Sequence, residues 1–422
     1  ATDGINTVKS GDIDTILNIE NLIGGNAGDE LTGSDADNQI IGGAGADTIY
    51  SSKGIDIIDG STSATDIDVM DYWNRSNSIT LTSAAAVYTV TKTDDGNKTD
   101  TLTNIEIVRG TNYADSMIGG SANDTFEGGA GNDLLEGGAG DDRLYGEAGD
   151  DTLKGGTGND YLNGGTHSLY GDTVSYEDRN EKITVILNNS GDGTATVGVS
   201  GESDTLVNIE NITGSSIGDE ITGNNSANTI FGLSGNDTLK GEGGADYIDG
   251  GSGDDTITGG AGADTLKGGT GADLFIQTVG HTSGDNIDGG SESDTTRGND
   301  TVDYSAFIGA AGIKVSLNDT GLANVTVGSL IDDHTLTNIE NIIGTSGTDT
   351  IEGDTANNTL DGLSGTNDTL SFAKTSSGIF VNIGNSAVNA DIDGNGSTDA
   401  ITANQAIGTE IGTDTVKNFD DV

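Results

Sequence analysis

Aspartates recur every nine residues in a frame of glycines: GGAGNDLLE, GGAGDDRLY, GEAGDDTLK and GGTGNDYLN run in register from Gly128 to Asn163. A carboxylate is a hard oxygen donor, and calcium takes six to eight oxygens. Glycines at fixed places let a turn visit positive φ and bring backbone carbonyls close around an ion, where a Cβ would obstruct them. This spacing therefore points to repeated coordination of calcium rather than to catalysis. Leu135, Leu144, Leu153 and Leu162, two places after each aspartate, would point inward as a narrow aliphatic ladder.

The same frame extends along the chain in four blocks. The first, from Gly24 to Asp59, offers Asp29, Asp47 and Asp56, with Asn38 in one aspartate place. The second, from Gly110 to Asn163, offers Asp115, Asp124, Asp133, Asp142, Asp151 and Asp160. The third, from Gly214 to Ile276, offers Asp219, Asp237, Asp246, Asp255, Asp264 and Asp273, with Asn228 as the exception and Asp285 and Asp294 in a frayed continuation. The fourth is short, with Asp349, Asn358 and then Asp368 displaced by one residue. A separate candidate is Asp391, Asp393, Asn395 and Asp399, which follow the D-x-[DN]-x-[DN]-G spacing of a calcium loop with Gly396 at the sharp turn. Thr402 stands where an EF-hand needs glutamate, so a stand-alone loop is expected there.

Each phrase, read as G-G-x-G-x-D-x-U-x with U a large apolar residue, resembles the nonapeptide of the RTX family, the haemolysin-type calcium-binding repeats of secreted bacterial proteins. The resemblance implies an all-β fold of parallel β-roll (β-helix or solenoid) blocks with Ca2+ in the turns, interrupted by β-hairpin segments. Each ion would be shared by phrases i and i+2, giving on the order of a dozen sites or more. It also implies export by type I secretion, with folding on meeting calcium outside the cell.

Composition fits such an architecture. Seventy glycines, no proline and no cysteine in 422 residues, with 32% hydrophobic and 4% aromatic content, describe a thin repetitive β structure rather than an ordinary globular core. Proline would remove a ladder donor, and without cysteine no disulfide can hold the chain together. The formal net charge of -53 opposes any compact state and disfavours contact with nucleic acid or anionic membranes. Low hydrophobicity with such a charge is also the signature of disorder, which is the expectation for the metal-free chain.

Between the blocks the period changes from nine to two, the mark of strands. Ile183, Val185 and Leu187 alternate, as do Ile313, Val315 and Leu317, and Ile379, Val381 and Ile383. Each block closes on a similar phrase (DVMDY, DTVSY, DTVDY, DTLSF), and the chain returns through NIEN or NIEI. Boundaries follow: an opening strand and first β-roll over 1–72, a β-hairpin insert over 73–109, a second β-roll over 110–176 and a hairpin insert over 177–213. A third β-roll over 214–305, a hairpin insert over 306–343, a short fourth β-roll over 344–372 and a C-terminal β segment with the calcium loop over 373–422 complete the chain. Asp14, Asp100, Asp204, His334 and Asp414 open equivalent return phrases, so the array begins and ends at one phase and could continue on a neighbour end to end or in a lattice.

No catalytic constellation emerges. Gly214-Ser-Ser-Ile-Gly218 matches G-x-S-x-G by chance inside a nonapeptide, and His167, His281 and His334 are far apart without an H-E-x-x-H. Trp73 is expected to cap the first roll, with a sugar platform as the alternative. The chain reads as an extracellular calcium-binding structural protein, a surface-layer, adhesin-stalk or filament subunit, and not an enzyme. The alternative is the secretion and folding module of a larger secreted enzyme or toxin. The partners expected are calcium, other copies of the chain, and carbohydrate at the hairpins or a cell surface; no apolar run is long enough for a membrane span.

Overall fold

The computed structural model describes every residue except 1–18, 62–65, 85–86, 199–200, 279–283, 291–298, 308–311, 318–321, 328–332, 355–356, 364–367, 372–379, 383–387, 391–398, 402–404, 409–411 and 418–422. The described residues are short β-strands, with a single 3-10 turn at Thr93–Asp95. Two compact units form, one from 1–179 with 190–211 and one from 180–189 with 212–422.

In each unit successive nonapeptides alternate between two sheets, so a coil takes two phrases and strands pair in parallel with those eighteen residues on. Leu135 lies beside Leu153 in one sheet, and Leu144 beside Leu162 in the other. In the second unit Ile248 pairs with Leu266 and Leu239 with Ile257. The apolar residue two places after each aspartate faces inward: Leu135, Leu144, Leu153, Leu162, Leu239, Ile248, Ile257 and Leu266 are all fully buried. Burial of each is worth about 1.5–3 kcal/mol. The core is thus one side chain wide.

The segments between blocks are spliced into these sheets. Lys98–Thr103 pairs in parallel with Ile57–Asp59, then antiparallel with Val87–Lys92, which pairs antiparallel with Ile79–Ala84. Ile79–Ala84 in turn pairs in parallel with Ser116–Ile118, and the roll resumes. On the opposite sheet Val69–Asp71 continues directly to Ile107–Arg109. The second unit repeats the arrangement with Asp333–Thr337, Leu322–Val327 and Ile313–Ser316, placed between Asn286–Asp288 and Thr350–Glu352. The expected hairpins are therefore three-stranded meanders whose outer strands belong to the roll ladders. The chain passes from one unit to the other within 177–213 rather than at any of the seven compositional boundaries.

Trp73 does not cap the first roll. It is 56% exposed, while the neighbouring Tyr72 is fully buried and donates to Asp100 Oδ2 at 3.1 Å. Tyr176 does the same at the next junction, donating to Asp204 Oδ2 at 2.9 Å. A phenol fills the core and satisfies a buried carboxylate, which an indole N–H in the flanking position cannot reach.

With one inward side chain per phrase, a truncated rung has no second layer to collapse onto. Leu153→Ala is expected to cost about 2–5 kcal/mol, read from denaturant unfolding in saturating calcium.

Candidate metal centres

The in-register aspartates stack in rows, one row along each edge of a roll. In each row the Oδ1 of one aspartate accepts the backbone N–H of the aspartate one coil before. Asp133 accepts from Asp115 at 2.7 Å, Asp151 from Asp133 at 2.8 Å, Asp142 from Asp124 at 2.7 Å and Asp160 from Asp142 at 2.8 Å. In the second unit Asp237 accepts from Asp219, Asp255 from Asp237, Asp273 from Asp255, Asp246 from Asn228, Asp264 from Asp246 and Asp285 from Asp264. Asp47 accepts from Asp29, Asp56 from Asn38 and Asp368 from Asp349.

The second carboxylate oxygen separates the aspartates into two classes. Asp29, Asp115, Asp124, Asp219 and Asp349, each the first of its row, turn Oδ2 back onto their own turn. Asp29 accepts from Gly25 N–H, Asp115 from Thr111 N–H at 2.6 Å, Asp124 from Gly120 at 2.8 Å, Asp219 from Ser215 at 2.6 Å and Asp349 from Thr345 at 2.8 Å. Asn38, Asn228 and Asn358 close their turns in the same way. The hydroxyls of Thr111, Ser215 and Thr345 add a further bond. From the second rung onward the turn opens. Oδ2 of Asp47, Asp133, Asp142, Asp151, Asp160, Asp237, Asp246 and Asp255 is buried and receives no hydrogen bond.

Those oxygens lie over the first glycine of their own phrase. A Cβ on Gly128 would press into Asp133 Oδ2 and the Gly146 carbonyl oxygen, and one on Gly241 into Asp246 Oδ2 and the Gly259 carbonyl. The space a side chain would fill is lined instead by a carboxylate oxygen and a carbonyl oxygen of the next coil. Such a cradle fits a hard cation, which would satisfy the unpaired oxygen. Among the described residues no three acidic or histidine side chains converge on one point, so backbone carbonyls would have to complete each coordination shell.

Burial drives these carboxyls upward, helped by like charges one coil away. Asp133 is pushed up to about 8, with Asp115 and Asp151 as neighbours, and Asp142 to about 7 beside Asp160 and Asp124. Asp246 and Asp255 reach about 7 and Asp237 about 6 for the same reason.

The structure adds row members that the nonapeptide frame does not mark. Asp68, Asp172 and Asp300, which open the block-closing phrases, accept from Asp47, Asp151 and Asp273, and their own N–H groups donate to Glu106, Glu210 and Glu340 of the return phrases. Asp100, Asp204 and Asp414 accept from Asp56, Asp160 and Asn358. His334 takes the same place, its Nδ1 accepting from Asp285 N–H at 3.1 Å. The available signal was the D-T-hydrophobic start these phrases share with the nonapeptide. A second, exposed row runs one residue before the first: Asn123 accepts from Asp141 N–H, Asn132 from Asp150 and Asp141 from Asn159. Asp391, Asp393 and Asn395 lie outside the described residues. Asp399 begins a strand whose backbone pairs with Ala390.

The family profile of the RTX calcium-binding nonapeptide repeat (4 copies) matches residues 23–58, 103–135, 136–166, 222–257, 249–276 and 337–370. RTX repeats bind calcium and typify secreted bacterial proteins. No curated protein matches the chain. Among solved structures, the extracellular lipase LipA from Serratia marcescens aligns over 69% of this chain at 16% identity with a TM-score of 0.15. The chain spans 43% of that lipase.

Two outcomes test the sites. Asp142→Asn should raise the calcium midpoint of folding severalfold in a circular-dichroism titration, whereas Asp115→Asn, whose oxygens are already taken, should leave it nearly unchanged. Without metal the pH dependence should be inverted from the usual acid denaturation. Unfolded aspartates release protons near about 4, while Asp133 and Asp142 in the roll hold theirs up to about 8 and 7. The folded state then binds more protons, so in chelator β structure should be favoured at pH 5 and lost as pH rises to 8.

Proposed function

With RTX calcium-binding nonapeptide repeats in several copies along this chain, we propose that the protein is an extracellular structural element, a surface-layer, stalk or filament subunit, that folds when it meets calcium after secretion. The observation that carries this reading is the run of buried, unpaired Asp Oδ2 atoms, present in both units and aimed at carbonyls of the adjoining coil. Such atoms cost free energy in an empty roll and supply binding energy in a loaded one, so metal affinity becomes folding energy.

Three features support a structural role over a catalytic one. Nearly every described strand is spent on the rolls or on meanders spliced into them. Chemistry-bearing side chains are consumed in repeated rows rather than gathered at one unique site. The inserts keep the sheets continuous across each block junction within a unit, as a load-bearing stack requires. Among the described residues no helix is long and apolar enough to cross a membrane.

In chelator at pH 8 the chain should be largely without β structure and hydrodynamically expanded; in millimolar calcium at the same pH it should become compact and β-rich, by circular dichroism and sedimentation. Spectra unchanged by calcium sink the folding mechanism. Negative-stain images of the loaded protein then divide the roles: lattices or filaments support the structural reading, and dispersed monomers favour a module that escorts a separate catalytic domain.

A further inference from the structure

One rung departs from the scheme. Its phrase reads Ser51-Ser-Lys-Gly-Ile-Asp56, with serines in the two leading glycine places. Asp56 Oδ2 is not left open: Ser52 Oγ donates to it at 3.0 Å, and Lys92 Nζ stands 3.3 Å away. The same ammonium lies 2.6 Å from Asp100 Oδ1, the next carboxylate of the row, and donates to the Ser52 carbonyl at 2.9 Å. Tyr72 takes Asp100 Oδ2. Lys92 is completely buried, and so are both carboxylates. An ammonium in contact with two successive row carboxylates and a turn carbonyl occupies the kind of oxygen-lined seat that stands open elsewhere. Asp56, expected from its spacing to hold metal, is thus already neutralised by the chain.

The next splice supplies the comparison. Lys92 pairs with Lys98, two residues before Asp100; the register-equivalent partner of Glu202, two residues before Asp204, is Val197. A tyrosine again takes the outer aspartate there, but no lysine is present and Asp160 Oδ2 has no hydrogen-bond partner. Two residues distinguish the self-neutralised rung from the open one: Lys92 against Val197, and Ser52, which donates to Asp56 Oδ2, against Gly156.

We propose that Lys92 is a resident cation that replaces calcium between Asp56 and Asp100, making residues 51–103 a calcium-independent seed on which the calcium-requiring coils assemble. This rests on the calcium-coupled folding proposed above. A buried lysine with two carboxylate partners is stabilising only in the assembled rung, and every group in it comes from this one stretch of chain. The seed also contains a meander whose paired strands are neighbours in sequence, so its contacts form early and without long loop closure.

Hydrogen exchange of the full chain in chelator at pH 8, resolved by peptide, is the test. Peptides within 51–103 should exchange about tenfold or more slowly relative to their unstructured rates, while those within 128–163 exchange as an unstructured chain does. Lys92→Val should abolish that protection in chelator and regain it in millimolar calcium, and Lys92→Arg should keep it. Equal, unprotected exchange of both regions in the wild type overturns the seed, as does protection in chelator that survives Lys92→Val. The wild-type comparison stands even if the valine variant does not fold. Protection of 128–163 in chelator instead overturns calcium-coupled folding itself, and with it the need for a seed.

Discussion

Most coils place a buried carboxylate directly over another, one strand spacing away, and the rest of the structure is arranged around that conflict. At roughly 4.8 Å two full charges repel by about 3–4 kcal/mol even at an effective dielectric near 20. The backbone resolves half of it: each Oδ1 takes the N–H of the aspartate one coil before, which fixes the side chain and leaves Oδ2 facing the glycine niche. The other half needs positive charge. Sixteen lysines and arginines against sixty-nine acidic residues cannot provide it generally, and Lys92 is a local exception.

Two kinds of turn follow from this. The first aspartate or asparagine after a splice folds back on its own position-two N–H, with Ser or Thr hydroxyls assisting at 111, 215 and 345, while Oδ1 of Asp115, Asp219 and Asp349 still accepts an N–H of the spliced strand below. In the later rungs Oδ2 of Asp133, Asp142 and Asp151 keeps its place beside the next coil's carbonyl but no longer receives a hydrogen bond from its own turn. The first glycine of each phrase is therefore a matter of volume more than of flexibility: Gly128 and Gly241 leave room for oxygens. The second glycine is conformational, and Glu147 and Glu242 hold the same positive φ at that place as non-glycine residues.

Much of this was legible in the sequence, because a strict nine-residue period leaves few alternatives. The aspartate places, the inward Leu and Ile ladder, the β-roll and the alternating segments could all be read directly. The two classes of turn were marked in the phrases but not read: position four is a glycine at positive φ in open turns (Gly131, Gly140, Gly149, Gly158) and Ala27, Tyr113, Ala122 or Ile217 in the closed turns of Asp29, Asp115, Asp124 and Asp219. Lys92 was hidden: in VYTVTK an alternating pattern marks Lys92 as one of a strand's faces without showing that a splice turns that face toward Asp56. Trp73 was expected as a cap from its place beside Tyr72 at the junction, but it is Tyr72 that has the inward register and a hydroxyl for Asp100.

The two-phrase coil also imposes a parity on the chain. Adding or losing eighteen residues lengthens a roll and leaves every later aspartate on its own edge. Adding or losing nine transfers all of them to the opposite edge, carries each inward leucine into the other sheet and misaligns the next splice. Rolls of this kind can therefore grow or shrink freely only in even steps, and an odd change must be absorbed at a meander, where a fresh row starts from a new strand. The spliced segments, which contribute little to the rows, are in this sense the places where the array resets its frame.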